Sequence, residues 1–337
     1  MPGAGSLIFD MGALDSVAQW PGLQATAGVI NWDGGISRPV VVDRYGDSQH
    51  PLPWASVSKL LVTMATLVAI EEGTVSLDQG VLLDQGVSLE QGVLLDQGVL
   101  LDQGVLLDQG VLLDQGVGSA GITVRHLLAH ASGLPERLDS GKGLSAAPGT
   151  RRIYSNVGFE LLAEAIAGCA GMPFAEYLSS GILEPLGMLG TGLPDGASPA
   201  SGIVGPLDDL LTLGVELLAP TVVDRSTLDA AIHVAYPGLA GVLPGYGHFD
   251  PCDWGLGFEL RDSKSPHWTG TANSPRTFGH FGQSGSFLWV DPTVGLACAA
   301  LGNETFGPWA TRAWPAMSDA VLAQWAAGPR HLSAEPH

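Results

Sequence analysis

The stretch Pro53-Trp54-Ala55-Ser56-Val57-Ser58-Lys59 sets a serine three residues ahead of a lysine, at the head of an apolar run from Leu60 to Ile70. The run predicts a helix, and one turn of about 3.6 residues carries Ser56 and Lys59 to the same face, where hydroxyl and amine can share a proton. A lysine entering an apolar helix is desolvated, which lowers its pKa towards that of a useful base. Ser56 at the helix start also lies where the helix dipole favours developing negative charge. A capping serine beside a snorkelling surface lysine has the same spacing. Of the three lysines, Lys59, Lys142 and Lys264, however, only Lys59 follows a serine by three residues. An unexplained lysine in an apolar helix is costly, so the pair is expected to be catalytic.

The 337 residues, 45% of them hydrophobic, suffice for a substantial core in one large domain or two interleaved ones. A net charge of −20 and a pI near 4.5 argue against nucleic acid and anionic membrane surfaces, which both call for basic patches. Met1 to Trp20 holds no Lys or Arg and carries Asp10 and Asp15, unlike a secretory signal. No uninterrupted apolar run approaches the ~20 residues of a membrane span. Cys169, Cys252 and Cys298 are odd in number, widely spaced and without a metal-ligand pattern. The expectation is a reduced, cytoplasmic protein without metal or organic cofactor, whose partner is a small molecule.

Upstream of the serine, Ala25 to Ile36 and Pro39 to Arg44 are rich in Val and Ile around Asp33-Gly34-Gly35, which predicts a β-hairpin. The apolar helix after Ser56 is expected to end at Glu71-Glu72-Gly73, with the glycine as C-cap. From Val75 to Gly116 the chain is seven hexapeptides, VSLDQG, VLLDQG, VSLEQG and four more VLLDQG, which carry −7 of the −20 charge. A glycine in every unit costs a helix ~1 kcal/mol each, and six residues advance roughly 240° net, so no helical face stays apolar. An even period suits β structure, and a solenoid-like stack with apolar ends that invite self-association is the expectation.

Ile122 to Leu134 predicts a short helix closed by Ser132-Gly133. His126 and His130 lie four apart within it, but no glutamate or third ligand accompanies them, and core or capping roles fit better than a metal. Tyr154-Ser155-Asn156 leads into an amphipathic helix from Val157 to Ala167, and Pro173 to Leu178 and Leu207 to Leu218 predict further helices. Short β-branched or aromatic runs then return at Trp254 to Leu260, Thr277 to His280, Ser286 to Val290 and Gly295 to Leu301, before a last helix at Trp309 to Trp325. Strands from both ends of the chain are therefore expected to share one sheet.

Ser56-Val57-Ser58-Lys59, Tyr154-Ser155-Asn156 and His280-Phe281-Gly282, in that order, resemble the motifs of the serine β-lactamase and penicillin-binding-protein superfamily, specifically the class C β-lactamase-like hydrolases and esterases. Glu72 to Asp78, Ile122 to Leu134 and Trp289-Val290-Asp291-Pro292 add weaker likeness, so that only the extra hexapeptides lie outside it. The resemblance implies an α+β fold: an antiparallel sheet flanked by helices plus an inserted helical domain, here with a hexapeptide-repeat insertion. Residues 1–72 and 240–337 would form the sheet domain and 73–239 the helical domain, interrupted by the repeat at 75–116.

By the same resemblance Ser56 is the nucleophile that forms an acyl-enzyme, Lys59 takes its proton, and Tyr154 shares the base role and later activates water. Asn156 binds the substrate's acyl side. The oxyanion hole falls to the N–H groups of Ser56 and Gln283, and Gly282 leaves the strand edge open to substrate. The third motif departs from the β-lactamases in beginning with His280 where they have lysine. A permanent cation for a substrate carboxylate is thereby replaced by a group largely neutral at pH 7.

Arg151-Arg152 reads as a solvated pair rather than a carboxylate clamp, and Trp254, Trp268 and Trp289 as sheet core at least as readily as an acyl pocket. Gly282-Gln283-Ser284-Gly285-Ser286 does not fit the G-x-S-x-G elbow. The expected function is a serine hydrolase acting on small esters or amides. The alternatives are a β-lactamase or D-alanyl-D-alanine peptidase, and a non-catalytic scaffold that binds through the repeat; a scaffold has no reason to keep a lysine in an apolar helix.

Overall fold

The computed structural model describes residues 12–35, 37–81, 99–101, 104–106, 121–137 and 144–326. Strands β1 (Ala25–Asn31) and β2 (Val40–Tyr45) pair antiparallel, and β3 (Leu52–Pro53) leads through a 3-10 turn (Ala55–Val57) into helix α1 (Ser58–Glu71). After β4 (Gly80–Val81), β5 (Val99–Leu101) and β6 (Gly104–Leu106) come helices α2 (Val124–Leu128), α3 (Asn156–Ala170), α4 (Phe174–Leu178) and α5 (Glu184–Leu186). Strand β7 (Val204–Gly205) pairs back with β3, ahead of α6 (Leu207–Leu218), α7 (Arg225–Ala231) and the hairpin β8 (Gly241–Leu243) and β9 (Gly247–Phe249). Strands β10 (Glu259–Leu260), β11 (Phe278–Gly282), β12 (Ser286–Asp291) and β13 (Leu296–Gly302) precede the last helix, α8 (Ala310–Trp325).

The principal sheet is antiparallel in the order β10-β11-β12-β13-β1-β2. Within it β1 pairs with β13, in register from Ala25 opposite Gly302 to Asn31 opposite Leu296, so early and late strands of the chain meet there. Both faces are covered, which is why the strands read as continuous apolar runs rather than alternating ones. Ile30, Leu288, Val290, Ala297 and Leu301 face one side with α1 and α6; Val29, Phe287, Trp289, Cys298 and Ala300 face the other with α8. Helix α6 sits close on the sheet because Gly214 has no side chain: a Cβ there would lie 2.6 Å from Ile30 Cδ1. Although α6 falls within 73–239, it belongs to the layer over the sheet.

Helix α1 is buried on nearly its whole circumference, from Ser58 to Ala69. It ends at Gly73, whose φ of +76° turns the chain away and whose N–H closes on Ile70 O at 3.1 Å. Two expected elements differ. The predicted strand over Trp254 to Leu260 is a strand only at Glu259–Leu260, because the chain reverses at Gly257 (φ +82°) and Gly255 N–H bonds Phe258 O at 2.9 Å. The α2 segment is closed not by Ser132-Gly133 but by His130 in the left-handed region, with φ +52°.

Within the repeat, β4 pairs in parallel with β6, and β6 antiparallel with β5. The remaining units, and with them the expected solenoid stack, lie outside the described residues. Among the described residues no single helix is long and apolar enough to cross a membrane.

Candidate active site

Ser56 lies in the 3-10 turn, two residues before the α-helix expected to carry it. In a 3-10 turn of about three residues, positions i and i+3 eclipse, so Ser56 and Lys59 still share a side. The turn is strained and held. Ala55 has φ +46°, uncommon for a residue with a Cβ. Trp54 N–H bonds Ile203 O at 2.9 Å, while the hydroxyls of Ser286 and Ser284 donate to Trp54 O and Pro53 O, each at 2.7 Å. Strand β7's neighbourhood and the end of the β11–β12 hairpin thus fix the serine's backbone from two sides.

Lys59 is fully buried and makes no ion pair among the described residues. Its Nζ donates to Asn156 Oδ1 at 2.6 Å and to Ala200 O at 2.9 Å, and lies 4.9 Å from the ring centre of Tyr154 and 5.5 Å from that of Phe159. Burial lowers the amine from its ordinary value to about 7, against a weaker upward pull from Glu160 and Glu136. At neutral pH a large fraction is therefore the free base.

Asn156 opens α3, with Ser155 as its N-cap: Ser155 Oγ accepts Gly158 N–H at 3.1 Å. This cap holds Tyr154, one residue earlier, beside the serine. The Tyr154 phenol is pushed above its ordinary value by burial, although a hydrogen bond with the Ser56 side chain opposes the shift. It keeps its proton at neutral pH. The site therefore sets a buried amine lowered to about 7 beside a proton-bearing phenol.

His280 on β11 is buried, and its Nδ1–H donates to Phe281 O at 2.8 Å. Burial foremost, then the neighbouring Lys59, lowers its pKa to about 3, so the imidazole is neutral. Its ring centre stands 5.9 Å from those of both Tyr154 and Trp254. Gly282 is also required by packing. A Cβ there would lie 2.6 Å from Trp54 O and 2.6 Å from Ser286 Oγ, so the glycine lets the strand end press against the serine's own turn. Gln283 follows with an exposed side chain, and among the described residues neither its N–H nor that of Ser56 donates to another protein group.

Of the other residues, Arg152 departs from its expected role, while His126 and His130 take the capping and core roles expected of them. Arg152 is not solvated: it is 2% exposed and donates to the carbonyls of Cys252, Ala129 and Ala235, tying α2 to the segment before Tyr154. His126 caps α2 through Thr123 and stacks on Tyr236, and His130 Nδ1 accepts from Ser155 N–H, so neither is arranged as a ligand. Trp254 joins the ring cluster at the site, whereas Trp268 and Trp289 are core.

A family model described as beta-lactamase matches residues 37–322. The chain belongs to the beta-lactamase family. That family is one of serine hydrolases. Among solved structures the chain is similar to a beta-lactamase from Mycobacterium bovis, with 43% identity and a TM-score of 0.77 over 93% of this chain and 99% of that one. It shares the fold alone with simvastatin synthase from Aspergillus terreus, at 18% identity and a TM-score of 0.63 over 90% and 94% of the two chains. Over 216 residues it is 24% identical to a putative D-alanyl-D-alanine carboxypeptidase of Escherichia coli O157:H7, a match covering 48% of this chain and 47% of the relative. The chain spans less than half the length of the curated relatives it matches.

Proposed function

We propose that this beta-lactamase family protein is a serine hydrolase that cleaves small esters or amides through an acyl-enzyme on Ser56. The observation that carries this reading is the fully buried Lys59, its amine lowered to about 7 and held by Asn156 and Ala200 O beside the proton-bearing Tyr154. Lys59 accepts the Ser56 proton as Oγ attacks the carbonyl carbon. The N–H groups of Ser56 and Gln283 receive the oxyanion, and Tyr154 relays the proton to the leaving group. In the second half, water gives its proton along the same path and releases the acid. Asn156 holds Lys59 and the acyl side of the substrate.

The substrate class follows from charge. His280 is neutral and buried where a fixed cation would hold a carboxylate, and Glu160 and Glu136 are the charges felt by Lys59. This field favours neutral esters and amides over anionic β-lactams or peptides. A second reading, a carboxypeptidase or β-lactamase, draws on the similarity to a putative D-alanyl-D-alanine carboxypeptidase. His280→Lys tests the choice. The ratio of chromogenic cephalosporin turnover to p-nitrophenyl acetate turnover rises by about tenfold in this variant if the charge sets selectivity. An unchanged ratio would show that position 280 does not meet the carboxylate, and wild-type cephalosporin turnover exceeding that of the ester would favour the second reading.

A further inference from the structure

Tyr154 is flanked by two backbone N–H groups that share one partner residue. Ile153 N–H bonds the carbonyl oxygen of His130 at 2.8 Å, and Ser155 N–H bonds His130 Nδ1 at 3.1 Å. The His130 ring then lies against the Tyr154 ring, with centres 4.6 Å apart, and is backed by Phe159 at 5.1 Å and Trp254 at 5.0 Å. One residue thus grips the chain before the tyrosine, the chain after it, and the aromatic ring between.

This grip has two costs in the fold. His130 adopts φ +52°, a left-handed conformation uncommon for any residue with a Cβ, though histidine enters it more readily than most. With Nδ1 accepting, the proton of the neutral ring sits on Nε2, which is buried and, among the described residues, finds no acceptor. A purely apolar filler would avoid the orphaned N–H but would strand Ser155 N–H, because the Ser155 hydroxyl is already committed: it accepts from Gly158 N–H and donates to Pro135 O at 2.7 Å. A buried polar atom left unpaired in this way is uncommon and calls for an explanation.

We infer that His130 is a positioning residue that holds the Tyr154 hydroxyl towards Ser56. The inference rests on the reading of Tyr154 as the proton carrier. Arg152 supports the clamp from behind by donating to the carbonyl of Ala129, the residue before His130.

The test compares His130→Ala and His130→Asn, each in the wild-type and the Tyr154→Phe background, by the second-order rate of fluorophosphonate labelling of Ser56. That readout needs no knowledge of the natural ester. Asparagine tolerates the positive φ and places Oδ1 where Nδ1 was, so it keeps the bond to Ser155 N–H while losing the ring. His130→Ala is expected to slow labelling by about 30-fold and His130→Asn to recover most of this; with Tyr154→Phe present, either change costs less than about threefold, because residues acting through one group are non-additive. Losses of equal size in both backgrounds would overturn the clamp and leave a merely structural histidine, as would asparagine performing no better than alanine. If the alanine variant does not fold, the asparagine pair decides alone: a loss that vanishes beside Tyr154→Phe supports the clamp, and one that persists overturns it. Unchanged labelling in Tyr154→Phe by itself would overturn the reading of Tyr154, and the clamp with it.

Discussion

Lys59→Ala lowers ester turnover by about three orders of magnitude, Tyr154→Phe by a similar factor, and the double variant by little more than either. The expectation follows from their arrangement. Lys59 is the buried amine lowered to about 7, Tyr154 the phenol that keeps its proton, and the Lys59 Nζ lies 4.9 Å from the tyrosine ring centre. Removing either member leaves the Ser56 hydroxyl without a complete path for its proton, so removing the second has little left to remove. The pH profile checks the same point. With the amine titrating near 7, kcat/KM rises with pH through that value and levels off above it. The rising limb disappears in Lys59→Ala. Losses that multiply, or a limb that survives without Lys59, would show that the two residues do not act on one proton.

Glu259→Gln is expected to destabilise the fold by about 3–5 kcal/mol, a loss read as a lower midpoint in urea. Glu259 is 1% exposed on β10, and its two oxygens are fully used: Oε1 accepts Lys264 Nζ at 2.8 Å, while Oε2 accepts His267 Nε2–H at 2.9 Å and Trp268 Nε1–H at 2.8 Å. Burial by itself would raise this carboxyl, but the Lys264 charge and the bonds from Lys264 and His267 outweigh it and hold it at about 2. Since the folded pKa is below the unfolded one, the stabilisation is present in full above about pH 4.5 and is lost as pH falls towards 2. Glutamine removes the charge and leaves the buried Lys264 ammonium without a counter-charge. Glu259→Met with Lys264→Met restores most of the loss, because an apolar pair of similar volume needs no compensation. A Glu259→Gln variant as stable as the wild type, with the same acid limb, would contradict this account.

The sequence was most informative where residue spacing and chemistry coincide. Ser56 and Lys59 were legible because a lysine in an apolar helix needs a reason, and α6 appeared at its observed bounds because Leu207–Leu218 has clean helical periodicity. The sheet was legible as runs, but which face each residue takes was not, because α6 and α8 bury both sides and erase the alternation. Arg152 was misread as solvated since its partners are backbone carbonyls from three separate segments, which leave no mark on neighbouring residues. Glu259 and Lys264 stand five apart across a turn in which Asp262 takes φ +44°, and no strand or helix spacing marks them as partners. His130 had one local signal, a histidine at the end of a short helix, but its left-handed backbone and its hold on residues 153 and 155 depend on contacts more than twenty positions away. The strand glycine at 282 was noticed for the room it leaves at the strand edge, but its close approach to the serine's own turn, where a Cβ would lie 2.6 Å from Trp54 O, left no mark in the sequence.

The most direct measurement is to trap the acyl-enzyme. The protein is mixed with a slowly deacylating p-nitrophenyl ester, quenched in acid, and its intact mass and peptide map are recorded. The account predicts one acyl group per chain, located on the peptide that holds Ser56, and neither adduct nor turnover in a folded Ser56→Ala variant. An adduct on any other residue, or turnover that persists in Ser56→Ala, would contradict it.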